Sequence, residues 1–439
     1  MQLYDSLFRS EQADSLLSDT NFLEQMLQVE ITLAKSQAEN GIFTWEYANA
    51  IADVCRLENI DIKKLKSQIP LGGNAVIPLV KQLRVLLEEK NKDAAVFLHY
   101  GATSQDIVDT AFVLQLKEYS KWLLSKILDL EKALLVQMKV HRKTVMIGRT
   151  LLQHAKPVTF SHKIGGWLAA IDSDRENIQQ LLPKVLKVQL GGPVGNRNER
   201  IGKNTVSAFA ENIGLAVADS WHSHRGTLVE WAAALGILSG NLGKIAKDIS
   251  LLMQTEVAEV FEGLEEGKGG SSSMPHKRNP TTCVAILANA NRTPHLVASL
   301  LSVLPQEHER AVGGWHAEWE PLNDVMRLTA GSLEKSVGLI ETLEVNSEKM
   351  KSNIELTNGL VYSENVLTAL SSKMDYQTAK NLLEQAVEKS ISEKKHLKDV
   401  LQQMDLSLDN LDDMFDPAAA VAHNQSAIEY LIKEYENKL

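Results

Sequence analysis

The sequence predicts an all-α protein with long central helices, and three observations lead there. The eleven prolines leave three intervals empty, 79–156, 194–274 and 322–416, which permits long uninterrupted helices. Inside those intervals apolar residues recur at i, i+3, i+4 spacing, the period of one helix face. Strand signals are weak, with no Asn-Gly hairpin and no train of β-branched runs.

The elements follow in chain order. Ala111–Val140 carries Val113, Leu116, Leu123, Leu124, Ile127, Leu130 and Leu134 at helical spacing. Leu228–Phe261 repeats the pattern over a longer span. Helices of that length and apolarity need partners along their whole length, and an oligomeric bundle supplies them more easily than one chain. Three regions are expected: a helical segment 1–108, a long-helix middle 109–350 and a smaller helical cap 351–439.

Composition narrows the function. The chain has 439 residues, 44% hydrophobic and 23% charged, with a net charge of −10. That balance argues against a nucleic-acid or membrane-surface partner, because both need a basic face. Two cysteines, Cys55 and Cys283, exclude a disulfide scaffold or a cysteine-built zinc site. The first residues show no basic-then-apolar leader, and Trp231–Gly240 is too short to span a bilayer. A cytoplasmic protein is expected.

Four segments interrupt the helical pattern with Gly, Ser, Thr and Asn. Gly269–Pro280 reads GGSSSMPHKRNP, a Gly/Ser run followed by Lys277 and Arg278. Such a loop is either a flexible linker or an anion cradle of N–H groups, hydroxyls and an ammonium. Asn279-Pro280 reads as the N-cap and first residue of the next helix. His99–Asp106 reads HYGATSQD, where Thr103 or Ser104 can cap a helix and leave other N-terminal donors for a carboxylate. Gly148–Pro157 places His154 among Arg149, Gln153 and Lys156, before a helix expected to open at Pro157. Gln306–Glu320 mixes acids, histidines and tryptophans around Gly313-Gly314; Arg310 suits a carboxylate, and Trp315 and Trp319 suit packing. No dinucleotide, Walker, zinc-protease or nucleophile-elbow motif is present.

GSSSMPHKRNP resembles the signature loop of the fumarase/aspartase superfamily. GATSQD and GRTLLQHAKP resemble its two substrate loops, QLGGPVGN its Gly-rich stretch, and LLMQTEVAEVFE the helix before the signature loop, all in the family's order. The resemblance implies a three-domain all-α subunit, a homotetramer around a central helical bundle, and sites built from loops of neighbouring subunits. It implies a reversible elimination through an aci-carboxylate, with a signature-loop serine as base. Ser271 matches that serine, and Ser272 is its close rival. Lys277 and Asn279 match residues that grip a substrate carboxylate, and Thr103 and Ser104 match a second carboxylate site. Arg149, Gln254 and Arg310 are carried over as further substrate contacts. His154 matches the general acid of the adenylosuccinate lyase branch, and Leu151 stands where the fumarase branch has a histidine.

Two stretches, GNAVIPLVK from Gly73 and PQEHER…WHAEWE from Pro305, resemble the carboxymuconate cycloisomerase branch and lack the serines and second arginine of the nucleotide lyases. The substrate implied is a small tricarboxylate closed to a lactone, with adenylosuccinate-type elimination of fumarate as the alternative. No metal and no cofactor are implied. A non-catalytic bundle would have degraded loops, whereas Ser271, Ser272, Lys277, Asn279 and His154 are all present.

Overall fold

The computed structural model describes residues 3–264, 269–270, 274, 276–404, 406, 408 and 410–439. The architecture is helical. The long helices are α1 (Asp19–Glu39), α2 (Ser104–Val140), α3 (Phe160–Val185), α4 (Gly226–Leu252), α5 (Thr281–Ser302) and α6 (Trp319–Glu341). At ~1.5 Å per residue the 37-residue α2 is about 55 Å long. Its apolar spacing does what the sequence suggests: Val113, Leu116, Leu123, Ile127, Leu130 and Leu134 are all fully buried. Each such side chain contributes roughly 1.5–3 kcal/mol. No helix among the described residues is long and apolar enough to cross a membrane.

The chain divides into two compact units. The first comprises Met1–Lys126, Ser173–Gly240 and Ala288–Glu334. The second comprises Ile127–Asp172, Asn241–Leu287 and Lys335–Leu439. Helices α2 to α6 each have residues in both.

The first unit has a core that includes Leu33, Ile51, Leu79, Leu83, Leu87 and Phe209. α1 starts where the Ser18 hydroxyl accepts from Asn21 N–H. A buried ion group lies in the same unit. Arg225 donates to Asp109 at 2.6 Å and pairs with Glu318 at 2.8 Å, and Trp315 Nε1 donates to Asp109 at 3.0 Å. Burial works against the Arg225 charge, but the two carboxylates outweigh it and hold the guanidinium above its ordinary value. Trp315 is therefore a packing residue that also supports a buried carboxylate.

The second unit has a smaller core of Tyr362, Val366, Leu370, Leu397 and Val400, with Ile147 packed into it. Ile147 belongs to an antiparallel hairpin of β1 (Val145–Thr150) and β2 (Gln153–Thr159). Two residues, β3 (Val260–Phe261), pair antiparallel with β4 (Glu344–Val345).

Three local expectations need correction. α4 ends at Leu252, not near Phe261. The chain turns there through Ala258 at φ +49°, so that the Glu259 carboxylate is buried against Arg149 and Asn353. No helix opens at Pro157, which instead pairs with Ile147 in the hairpin. α3 starts at Phe160, and the Thr159 hydroxyl accepts from His162 N–H at 3.1 Å. Asn279-Pro280 does not cap α5. The Glu262 carboxylate does, accepting from Thr282 N–H at 3.1 Å and Cys283 N–H at 2.8 Å. A carboxylate at a helix N-terminus satisfies the unpaired donors and the helix dipole together.

Candidate active site

In the first unit, Thr103 precedes the first residue of α2, Ser104. Asp106 reaches back to accept from Thr103 N–H at 3.0 Å, the reciprocal half of a capping box. Its carboxylate is fully buried and does more. It accepts from Gly191 N–H and Gly192 N–H at 2.9 Å each, and from His222 Nε2 at 2.8 Å. One anion thus ties the Thr-Ser loop to the Gly-rich stretch. A Cβ on Gly192, at φ +73°, would lie 3.0 Å from Gly101 O, so the close approach of the two loops requires glycine.

Arg310 completes this patch. Its Nη2 donates to Thr103 Oγ1 at 2.9 Å and to Pro193 O at 3.1 Å. Its Nε is buried without a hydrogen-bond partner among the described residues. A buried, unsatisfied guanidinium donor costs free energy until an acceptor arrives, which suits a carboxylate ligand.

His99 was not singled out from the sequence. It sits at φ +59° with Nδ1 2.6 Å from Glu30 Oε1, and Glu30 is 1% exposed. Burial opposes the imidazolium, but the Glu30 charge and hydrogen bond prevail and raise its pKa. His99 lines a concavity of about 420 Å³ with Gly101, Ala102, Pro193, Asn198 and Arg200. The pairing spans 69 residues, so no local motif could have announced it.

In the second unit, the hairpin places Arg149 opposite His154. Arg149 grips Glu259 with both ends of its fork, at 3.0 and 2.6 Å, and Asn353 donates to the same carboxylate at 2.8 Å. Glu259 is fully buried, so this is a desolvated, bidentate pair. The fork of Arg149 is thereby engaged within the protein.

His154 has a different setting. Its Nδ1 is buried and has no partner among the described residues. Burial first, then the Arg149 charge, hold its pKa below the ordinary value, with Glu259 pulling the other way. The balance favours the neutral ring.

Lys277 is exposed, and its N–H donates to Met274 O at 3.0 Å. Asn279 N–H donates to Gly269 O at 2.9 Å. Gln254 is exposed just past the end of α4, where its carbonyl accepts from Val257 and Ala258. Ser271 and Ser272 lie outside the described residues. No group of three or more His, Cys, Asp or Glu among the described residues could hold a metal ion.

The structure therefore joins Thr103, Ser104 and Arg310 in one patch, and Arg149 and His154 in another. These are the loops that the sequence singles out, each held by buried carboxylates.

The chain is similar to known proteins over nearly its whole length. A family model described as lyase matches residues 4–293. The 3-carboxy-cis,cis-muconate cycloisomerase of Acinetobacter baylyi is 40% identical, over 99% of this chain and 98% of its own length. The protein of the same name from Pseudomonas aeruginosa is 39% identical, over 99% and 96%. The crystal structure of 3-carboxy-cis,cis-muconate lactonizing enzyme from Pseudomonas putida superposes with a TM-score of 0.93 at 37% identity, covering 100% of this chain and 99% of that one. With a family model over residues 4–293, relatives near 40% identity over almost the whole chain and the same helical fold, the chain belongs to the fumarase/aspartase superfamily.

Proposed function

We propose that this enzyme closes 3-carboxy-cis,cis-muconate to 4-carboxymuconolactone, a step in protocatechuate breakdown. One substrate carboxylate oxygen adds to a carbon–carbon double bond, giving an aci-carboxylate. A proton from the Ser271 hydroxyl, with Ser272 as its rival, is delivered to the adjacent carbon. The serine oxygen then regains a proton from solvent. Read backwards, this is β-elimination with a carboxylate as the leaving group.

The observation that carries this reading is the setting of His154: Glu259 is committed to Arg149 and Asn353, and the ring's Nδ1 has no hydrogen-bond partner among the described residues. Expelling an amine, as in adenylosuccinate cleavage, calls for a proton donor at the leaving nitrogen. A carboxylate is a stable anion and leaves without one. His154 then orients or supports the attacking carboxylate rather than donating to it.

The substrate carries three negative charges. Arg310 and Thr103 take one carboxylate, Lys277 and Asn279 another, and the α2 N-terminus adds partial positive charge. Gln254 is a further contact, whereas Arg149 is held by Glu259 and supports the hairpin that carries His154. The working enzyme is a cytoplasmic homotetramer of three-segment subunits (1–108, 109–350, 351–439), with each site drawing loops from neighbouring copies.

The test is a substrate screen by absorbance with carboxymuconate, adenylosuccinate, fumarate and argininosuccinate. Carboxymuconate alone should be consumed. Release of fumarate from adenylosuccinate, with carboxymuconate untouched, would replace this reading with the lyase one.

A further inference from the structure

Glu344 lies outside every motif and beyond the part of the chain that the family model matches. It is the Phe261-paired residue of β4, and its two carboxylate oxygens hold different limbs of the signature loop. Oε1 accepts from Leu264 N–H at 3.2 Å, on the entering limb. Oε2 accepts from Arg278 Nη1 and Nη2 at 3.0 Å each, on the leaving limb. Arg278 Nη2 also donates to Glu262 O at 2.7 Å, and its guanidinium stacks 4.7 Å from the Phe261 ring centre. Glu262 in turn caps α5, which follows the loop.

The backbone is built for this closure. A Cβ on Gly263 would fall 2.5 Å from Thr342 Cβ and 2.6 Å from Thr342 O. A Cβ on Gly269, at φ +69°, would fall 2.7 Å from Asn279 O, whose N–H bonds Gly269 O. Both limbs thus approach their neighbours too closely for any other residue.

From this geometry we infer that Glu344 and Arg278 form a clasp across the neck of the signature loop, positioning Lys277 and Asn279 for the substrate. They are positioning residues and touch no reacting atom. The inference rests on the reading of Lys277 and Asn279 as carboxylate-binding groups. The Glu344 and Arg278 side chains are 42% and 31% exposed, so the ion pair adds little global stability. Its value lies in geometry, where a displacement near 1 Å can cost roughly a hundred-fold in rate.

The experiment compares Glu344→Ala, Glu344→Gln, Arg278→Met and the Glu344→Ala/Arg278→Met double variant in the full-length enzyme. Each single variant should melt close to the parent and lose roughly ten- to a hundred-fold in kcat/KM. Glu344→Gln keeps an acceptor for Leu264 N–H and should fall between parent and Glu344→Ala. The double variant should be no worse than the poorer single one, because the two residues act as a unit. Amide exchange at Leu264 and Asn279 should quicken in Glu344→Ala while the core of α4 stays protected. Full activity in Glu344→Ala, losses that multiply in the double variant, or unchanged exchange would each overturn the clasp. Exchange needs no substrate, so a wrong substrate assignment leaves that arm standing, and activity is read on whichever acid the screen shows consumed.

Discussion

The Thr103–Arg310 patch and the Arg149–His154 patch use the same device to different ends. Each is organised by a fully buried carboxylate, Asp106 in one and Glu259 in the other. Asp106 spends its oxygens on backbone N–H groups and His222, so it shapes loops and leaves Arg310 with a donor to offer. Glu259 spends its oxygens on Arg149 and Asn353, so it neutralises a cation and leaves His154 Nδ1 without a partner among the described residues. The first patch keeps a buried donor unpaired among the described residues, as the proposed anion site requires. The second surrounds a ring with burial and a cation that lower its pKa.

The scaffold under the first patch is the place to expect the largest effect. Arg225→Met leaves Asp109 and Glu318 buried without their cation. Removing one member of such a group typically costs about 3–5 kcal/mol, so the urea midpoint should fall steeply. An unchanged midpoint would show that the group is dispensable and the patch is held some other way.

Asp106→Asn comes next. The amide cannot accept from all four donors, and bonds to a charged acceptor are worth about 1.5–3 kcal/mol. We expect kcat/KM to drop roughly a hundred-fold, chiefly through KM, because the binding loops part. A loss confined to kcat would put Asp106 in the chemistry and not in the binding patch.

On the second patch, His154→Gln should lose much less activity than Ser271→Ala. Its pH profile carries a sign. The His154 pKa lies below the ordinary imidazole value of ~6.5, so the neutral form predominates from pH 8 down to that value. The kcat/KM of the parent should therefore stay level across that range. A rise as pH falls would mean that the imidazolium is the active form.

The smallest effect concerns His99. Its folded pKa is raised, so its pair with Glu30 stabilises fully below the unfolded value near ~6.5. That contribution is lost as pH climbs through the folded pKa. The parent should lose stability over this window relative to His99→Asn, and parallel curves would show that the pair carries no linkage.

The long helices were legible because proline placement and i, i+3, i+4 spacing are local properties. The loops were legible because their wording is distinctive. The hairpin was not. Its turn is Leu151-Leu152, both at positive φ and 97% and 73% exposed, where Asn-Gly would ordinarily signal a turn. Pro157 in its second strand reads as a helix start. The end of α4 at Leu252 and the capping of α5 by Glu262 depend on partners that only folding brings near. Such long-range pairings leave no spacing to read.

The division of labour between a binding patch and a proton-carrying loop is tested by measuring substrate affinity and turnover together in Ser271→Ala. Carboxymuconate should bind with a Kd close to the parent KM while turnover falls roughly a thousand-fold. Undiminished turnover, or affinity lost along with it, would contradict the assignment of Ser271 to the chemistry and of Thr103 and Arg310 to the grip.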